Sequence, residues 1–311
     1  SDVYKRQPQN AQALNSLGTV IKAKGNVGKA LEYFQQALTL KPDYPEAHYN
    51  LAMGYHSQGK LDMAVKSYKQ VLSHKENSPE VYFSLGNVFF DQGNMIEAIQ
   101  SFKKVISYMP NNAIAHNKLG TAYHSQEKLE EAIECYKRAI SLIPNFVQPR
   151  NNMGCALSER GELEAAAISL KHALKLKPDY ADGHCNLGNV LKAQGKLKKA
   201  IESYDKANEL KSDYVEAYNN RGKTLRDLGR LDESIMSFEH ALVLRPNFSE
   251  AHSNLLLASH YHPKLSSEAI FKKHIAWGES NVVQNKINES YKNDKTPERR
   301  LKVGLSLIHI C

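Results

Sequence analysis

The chain has 311 residues, 41% of them hydrophobic and 24% charged, which is enough apolar side chain to bury a sizeable core. No apolar run reaches the roughly 18 residues that cross a bilayer and no signal-peptide pattern opens the chain, so a cytoplasmic protein with no membrane partner is expected. The 41 basic and 33 acidic residues give a formal charge of +8, but the signs interleave, as in Lys196-Leu-Lys-Lys-Ala-Ile-Glu202, which predicts a solvated helical face and no nucleic-acid partner.

The two ends are complementary at the level of codons. Asp2-Val-Tyr-Lys-Arg-Gln7 back-translates as GAT GTG TAT AAG AGA CAG, whose reverse complement encodes Leu305-Ser-Leu-Ile-His-Ile310. That string resembles a transposase adapter used in sequencing libraries. Residues 1–7 and 305–311 are therefore expected to be translated adapter, with the gene continuing at both ends.

From Ala11 onward the sequence repeats every 34 residues, giving units at 11–44, 45–78, 79–112, 113–146, 147–180, 181–214 and 215–248, with a partial eighth from 249. The eighth position reads Gly18, Ala52, Gly86, Gly120, Gly154, Gly188 and Gly222, and the twentieth is alanine six times and then Ser234. Small residues at these two places predict two helices that approach closely. Large residues at positions 7, 11 and 24, as in Leu119, Tyr123 and Tyr136, fill the space beside them. Glycine at position 15 (Gly25, Gly59, Gly93, Gly161, Gly195 and Gly229) suits a left-handed turn after the first helix. Proline at position 32 (Pro42, Pro110, Pro144, Pro178 and Pro246) ends the second helix. Arg221 in the apolar position-7 column and Glu127 in the glycine column put the packing there in doubt.

These columns resemble the tetratricopeptide repeat family over residues 8–262. The resemblance implies an all-α fold: antiparallel helix pairs stacked into a right-handed superhelix, an α-solenoid, with a concave wall built from the first helix of each pair and a C-terminal capping helix. A single pair cannot bury its own apolar face, so stability comes from stacking on neighbours.

Position 6 should face the groove, and it reads Ser16, Asn50, Ser84, Lys118, Asn152, Asn186, Asn220 and Asn254. An amide both donates and accepts, so such a ladder could bond the main chain of an extended polypeptide. The plainer reading is that asparagine suits a half-exposed helix beside a neighbouring repeat. Histidines at position 4 (His48, His116, His184 and His252) are spaced too widely to share one metal and read as packing between repeats. His260 and His262 form an HxH pair without an acidic or cysteine partner nearby in sequence. Cys135, Cys155, Cys185 and Cys311 show no metal or disulfide spacing and are expected to be reduced thiols. No metal, cofactor or catalytic residue is assigned.

After the array, residues 263–280 read as a transition helix capped by Ser266 or Ser267, with Ile270, Phe271, His274 and Trp277 on one side. A polar linker, 281–296, and a basic lead-in to a strand, 297–304, follow. Tyr261-His-Pro, Ile270-Phe, His274, Trp277 and Arg299-Arg-Leu-Lys-Val-Gly304 in this order resemble the protein O-GlcNAc transferase family, in particular its bacterial, Spindly-like members. The resemblance implies that the array is the substrate arm of a transferase that takes its sugar from a UDP-sugar donor, with the catalytic domain beyond Gly304. It further implies that Asn50, Asn152, Asn186, Asn220 and Asn254 hold acceptor polypeptides in extended form, that the chain alone is inactive, and that two copies could pair through the repeats. The competing expectation is a non-enzymatic scaffold for protein–protein interaction.

Overall fold

The computed structural model describes residues 2–282, and among them every regular element is an α-helix. Four hairpins come first: α1 (Asp2–Ala23) with α2 (Val27–Leu40), α3 (Pro45–Ser57) with α4 (Leu61–His74), α5 (Pro79–Asp91) with α6 (Met95–Tyr108), and α7 (Ala113–His124) with α8 (Leu129–Leu142). Three more follow: α9 (Val147–Glu159) with α10 (Leu163–Leu176), α11 (Ala181–Ala193) with α12 (Leu197–Leu210), and α13 (Val215–Asp227) with α14 (Leu231–Leu244). The eighth unit contributes α15 (Ser249–Tyr261), and α16 (Ser267–Val282) closes the described chain. The predicted lead-in strand 297–304, all of the linker beyond Val282 and the segment 305–311 lie outside the described residues.

Six of the seven hairpins are built on one contact, and Ala52 takes its place in the second. A Cβ added to Gly18, Gly86, Gly120, Gly154, Gly188 or Gly222 would come within 2.5–2.7 Å of the side chain at position 24 on the partner helix. The glycine is therefore a seat for that side chain, and the seated residues Phe34, Phe102, Tyr136, Leu170, Tyr204 and Phe238 are completely buried. At position 20 the alanines have no accessible surface, and Ser234 keeps the spacing by donating its hydroxyl proton to the Gly222 carbonyl at 2.8 Å.

The turn inside each hairpin needs a left-handed residue. The six position-15 glycines have φ between +71° and +88°, and Glu127 adopts the same conformation at +59°. The turn geometry is thus preserved where the sequence departs, with the strain left in the backbone of Glu127. Arg221 is accommodated differently. Its guanidinium turns out of the apolar column, with Nε donating to Asp205 and Nη1 to the Ser237 hydroxyl.

Between hairpins, the second helix ends two residues before the position-32 proline, and the freed proline carbonyl finds a regular partner. His48, His116, His184 and His252 each place Nε2 at 2.9 Å from the carbonyl of Pro42, Pro110, Pro178 and Pro246 respectively. A carbonyl only accepts, so the ring nitrogen donates. Arg150 does the same for Pro144 at 2.8 Å. Where the proline is replaced, by Glu76 and Ser212, the next unit carries Tyr82 and Tyr218 in place of the donor. The position-4 histidines are thus parts of the repeat junction.

First helices of successive units touch one another at five of the seven steps: α1 with α3, α7 with α9, α9 with α11, α11 with α13 and α13 with α15. No pair of second helices makes a comparable contact among the described residues. The stack is therefore tighter along the first helices, which form its inner wall. At the end of the array, Ser266 caps α16 by accepting from Ala269 N–H at 3.2 Å. Ile270 and Trp277 are half-buried, as predicted for one side of this helix, but Phe271 is 63% exposed and His274 is exposed too. Phe271 lies about 100° round the helix from Ile270, and His274 about 40°.

These contacts set two opposite expectations in urea titration. Gly188→Val drives a side chain into Tyr204 and should cost about 2 kcal/mol. Glu127→Gly relieves the left-handed residue and should add about 1 kcal/mol. A neutral result at Gly188 would contradict the seat.

Candidate functional site

The inner wall carries two rows of polar contacts, and both step from one repeat to the next by 35 residues. In the first row a position-5 residue meets the position-6 residue of the following unit. Asn50 Nδ2 donates to Asn15 Oδ1 at 2.9 Å, Asn152 to Asn117 at 3.3 Å, Asn186 to Asn151 at 3.0 Å and Asn254 to Asn219 at 3.1 Å. The Tyr49 and Ser84 hydroxyls fill the same step at 3.3 Å. Asn220 deviates. Its position-5 neighbour is Cys185, a weak acceptor, and its amide donates to Asn189 Oδ1 at 3.1 Å, a carbonyl that Tyr204 Oη also reaches at 2.8 Å.

The five predicted asparagines are all half-buried, whereas their position-5 partners Asn15, Asn117, Asn151 and Asn219 are buried. The expected ladder therefore has a second, inner column that the sequence reading missed. Each amide has two N–H groups and a carbonyl with two lone pairs, so one bond to the neighbour leaves capacity at the half-exposed surface. Asn254 has less to spare, because its carbonyl also accepts from Arg226 Nη1 at 3.3 Å.

In the second row, two turns further along the first helices, a basic residue at position 12 meets an acid at position 13 of the next unit. The pairs are His56–Asp91 at 2.7 Å, His124–Glu159 at 2.8 Å and Lys192–Asp227 at 3.0 Å. His260 holds position 12 in the last unit and meets His274 of α16 at 3.0 Å instead. His262 is engaged elsewhere, 2.9 Å from Asp232 Oδ1, so the HxH pair does not converge on one point. Among the described residues no group of three or more His, Cys, Asp or Glu side chains could hold a metal ion. No helix there is long and apolar enough to cross a membrane.

The repeat pattern is matched by models of the TPR repeat at residues 20–53, 54–93, 86–127, 156–195 and 188–226. Further models of the tetratricopeptide repeat match 113–146 and 215–248. No curated protein matches the chain. Among solved structures, it is similar to a tetratricopeptide repeat protein from Parabacteroides merdae, at 17% identity over 80% of this chain and 99% of that one, with a TM-score of 0.68. It is also similar to pilF of Pseudomonas aeruginosa, at 18% identity over 67% and 95% with a TM-score of 0.57. Similarity extends to the APC/C hetero-tetramer Cut9–Hcn1, at 19% identity over 72% and 44% with a TM-score of 0.58. At these identities the likeness shows the fold alone.

The described cysteines are poor nucleophiles. Burial pushes the thiols of Cys135, Cys155 and Cys185 up to about 11 from 9.0, and Cys311 lies outside the described residues. The thiolate is the reactive form, so at pH 8 its fraction falls to about one in a thousand. Iodoacetamide at that pH should label these three positions about a hundredfold more slowly in the folded than in the denatured chain, followed by peptide mass spectrometry. A raised pKa also means that the folded chain holds these protons more tightly. This contribution to stability is complete below pH 9 and is lost as pH rises through about 11. Equal labelling rates in the two states would contradict the burial.

Proposed function

Because the chain belongs to the tetratricopeptide repeat family, we propose that its inner wall is a protein-interaction surface that holds an extended polypeptide by the main chain. The observation that carries this reading is the row of half-exposed amides at Asn50, Asn152, Asn186, Asn220 and Asn254, each fixed in orientation by a hydrogen bond within the array. An amide held in place loses little freedom when it binds, which favours association without new contacts. The remaining N–H and carbonyl groups match the alternating N–H and C=O of an extended chain, and this recognition depends little on side chains.

The resemblance of residues 261–304 carries the finer proposal that the bound polypeptide is an acceptor for a UDP-sugar-dependent O-GlcNAc transferase, with residues 283–304 outside the described part. In that setting, binding energy from the array offsets the cost of orienting a Ser or Thr hydroxyl at a separate catalytic domain. A scaffold that assembles proteins without sugar transfer uses the same wall and the same amides. The paired side chains of the second row are common to both readings, because they bond one another and leave the amides to set the chemistry of the groove.

Replacing Asn152, Asn186, Asn220 and Asn254 together by alanine should weaken binding of a fluorescent, unstructured serine- and valine-rich peptide by about tenfold or more. Helical circular dichroism at 25 °C should stay near that of the parent. The control is Leu170→Ala, which alters a completely buried side chain of a second helix and none of the amides. It should lower the unfolding midpoint and leave affinity nearly unchanged. Unaltered peptide affinity in the fourfold variant removes the amides from the binding reaction. The transferase reading makes a separate statement: the chain by itself should neither bind nor hydrolyse UDP-GlcNAc in calorimetry, and a saturable heat would contradict it.

A further inference from the structure

The seven repeat units serve as internal controls for one another, and one stretch of the inner wall breaks their pattern at several columns together. Position 34, at the mouth of each junction, is a ring in Tyr44, Phe146, Tyr180, Tyr214 and Phe248, but it is Ser78 and Asn112 at two successive junctions. Four of those rings lie under a cation from position 31: Lys41 over Tyr44 at 5.0 Å, Lys177 over Tyr180 at 5.5 Å, Lys211 over Tyr214 at 4.7 Å and Arg245 over Phe248 at 5.2 Å. Beside Asn112, both members of this pair are lost, since position 31 is Met109.

The two missing rings leave space. A cavity of about 280 Å³ lies beside Asn112, and a second of about 500 Å³ lies beside Ser78. They share Tyr49 and Glu80 in their walls, and each is bordered by a position-6 residue, Ser84 in the first and Asn50 in the second, so both open onto the amide row. The first is largely apolar. Tyr49 and Phe83 replace asparagine in the position-5 column, and Ile114 replaces the usual acid or glutamine at position 2. Ile114 is 51% exposed and Met109 44% exposed, and both line this cavity.

The charge beside these cavities differs from the rest of the wall in the same way. Position-2 acids in later units are engaged: Glu216 with Arg245 at 2.8 Å and Glu250 with Lys223 at 3.0 Å. Glu46 and Glu80 make no ion pair among the described residues, and they share the larger cavity with a single cation, Lys75. The wall is thus short of two rings and carries an excess of carboxylate in the same place.

We propose that the cavity beside Asn112 is a subsite for a Phe or Tyr side chain of the bound polypeptide, with a neighbouring lysine or arginine drawn to Glu80 and Glu46. The subsite rests on the polypeptide-binding reading and adds sequence preference to it. A ligand ring takes the place of the array's own missing ring, meets Tyr49 and Phe83 at its edges, and covers the exposed Ile114 and Met109. The amide row then supplies main-chain bonds on either side of the anchor. An array that reads only main chain would be indifferent to sequence, whereas this one selects an aromatic residue flanked by positive charge.

The test is fluorescence anisotropy with a labelled Ser-Lys-Ser-Phe-Ser-Lys-Ser peptide, its Phe→Ala, Phe→Leu and Lys→Glu forms, and the full chain. The phenylalanine form should bind about tenfold more tightly than the alanine form, and the Lys→Glu form should be the weakest. Two variants write the array's own pattern back into the subsite: Asn112→Phe, the residue present at Phe146 and Phe248, and Ile114→Glu, the acid present at the same position elsewhere. Asn112→Phe gives up the cap bond to Ala115 N–H, a bond that the ring-bearing junctions also do without. Each variant should keep the circular dichroism of the parent and erase the preference for phenylalanine over alanine. Equal affinity for all four peptides, leucine binding as tightly as phenylalanine, or a preference that survives Asn112→Phe would overturn the aromatic subsite while leaving the main-chain reading intact. Failure of every peptide to bind would overturn both.

Discussion

The seating of one side chain over one glycine, repeated in hairpin after hairpin, is the constraint on which the rest of the molecule depends. With a Cβ at Gly188 only 2.6 Å from the Tyr204 ring, the two helices have a single register in which they can close. Because a small residue recurs at the same position in each unit, glycine in six and Ala52 in the second, successive hairpins present their surfaces at the same height and angle. Equal geometry turns columns in the sequence into rows in space. A row of side chains in register can bind a polymer, whereas the same side chains scattered over a globule could not.

The rows also divide labour. Buried position-5 amides hold the position-6 amides, and these reach the half-exposed surface already oriented. Histidines and Arg150 hold the proline carbonyls at five of the seven junctions, so the link between those hairpins is fixed by a hydrogen bond as well as by packing. Side chains of the second row satisfy one another across the repeat boundary. What remains on the wall is chemically plain, mostly amide and hydroxyl, except where Ser78 and Asn112 interrupt the row of rings. Repetition provides affinity along the groove, and departures from repetition provide choice.

The fold was legible in the sequence because its causes are local and recur. Small residues at positions 8 and 20, a left-handed residue at 15 and proline at 32 each have one physical explanation, and together they locate the helices to within a few residues. Even Glu127 obeyed its column, since the turn imposes a positive φ on whatever stands there. The site was legible only in part. Asn50, Asn152, Asn186, Asn220 and Asn254 could be read as a column, but their partners lie 31 or 35 residues away in the preceding repeat, and which column abuts which is a property of the stacking angle. The proline and histidine columns were both visible, and their joint replacement at Tyr82 and Tyr218 was a signal of contact that became interpretable once the ring nitrogen was found at the carbonyl. Phe271 was placed with Ile270 by helical spacing, yet α16 packs on a narrower stripe and leaves that ring exposed. The cavities were hidden for the opposite reason. Sequence shows the residue that is present more readily than the space left by one that is not.

The most direct measurement of the central claim is nuclear magnetic resonance of the asparagine side-chain amides while an unstructured serine-rich peptide is added. If the inner wall grips main chain, the Nδ2 resonances of Asn152, Asn186, Asn220 and Asn254 shift progressively and saturate together, and amides on the second helices stay in place. Saturable shifts confined to the second helices, with the inner-wall amides unmoved, would place the polypeptide on the opposite face and contradict the account.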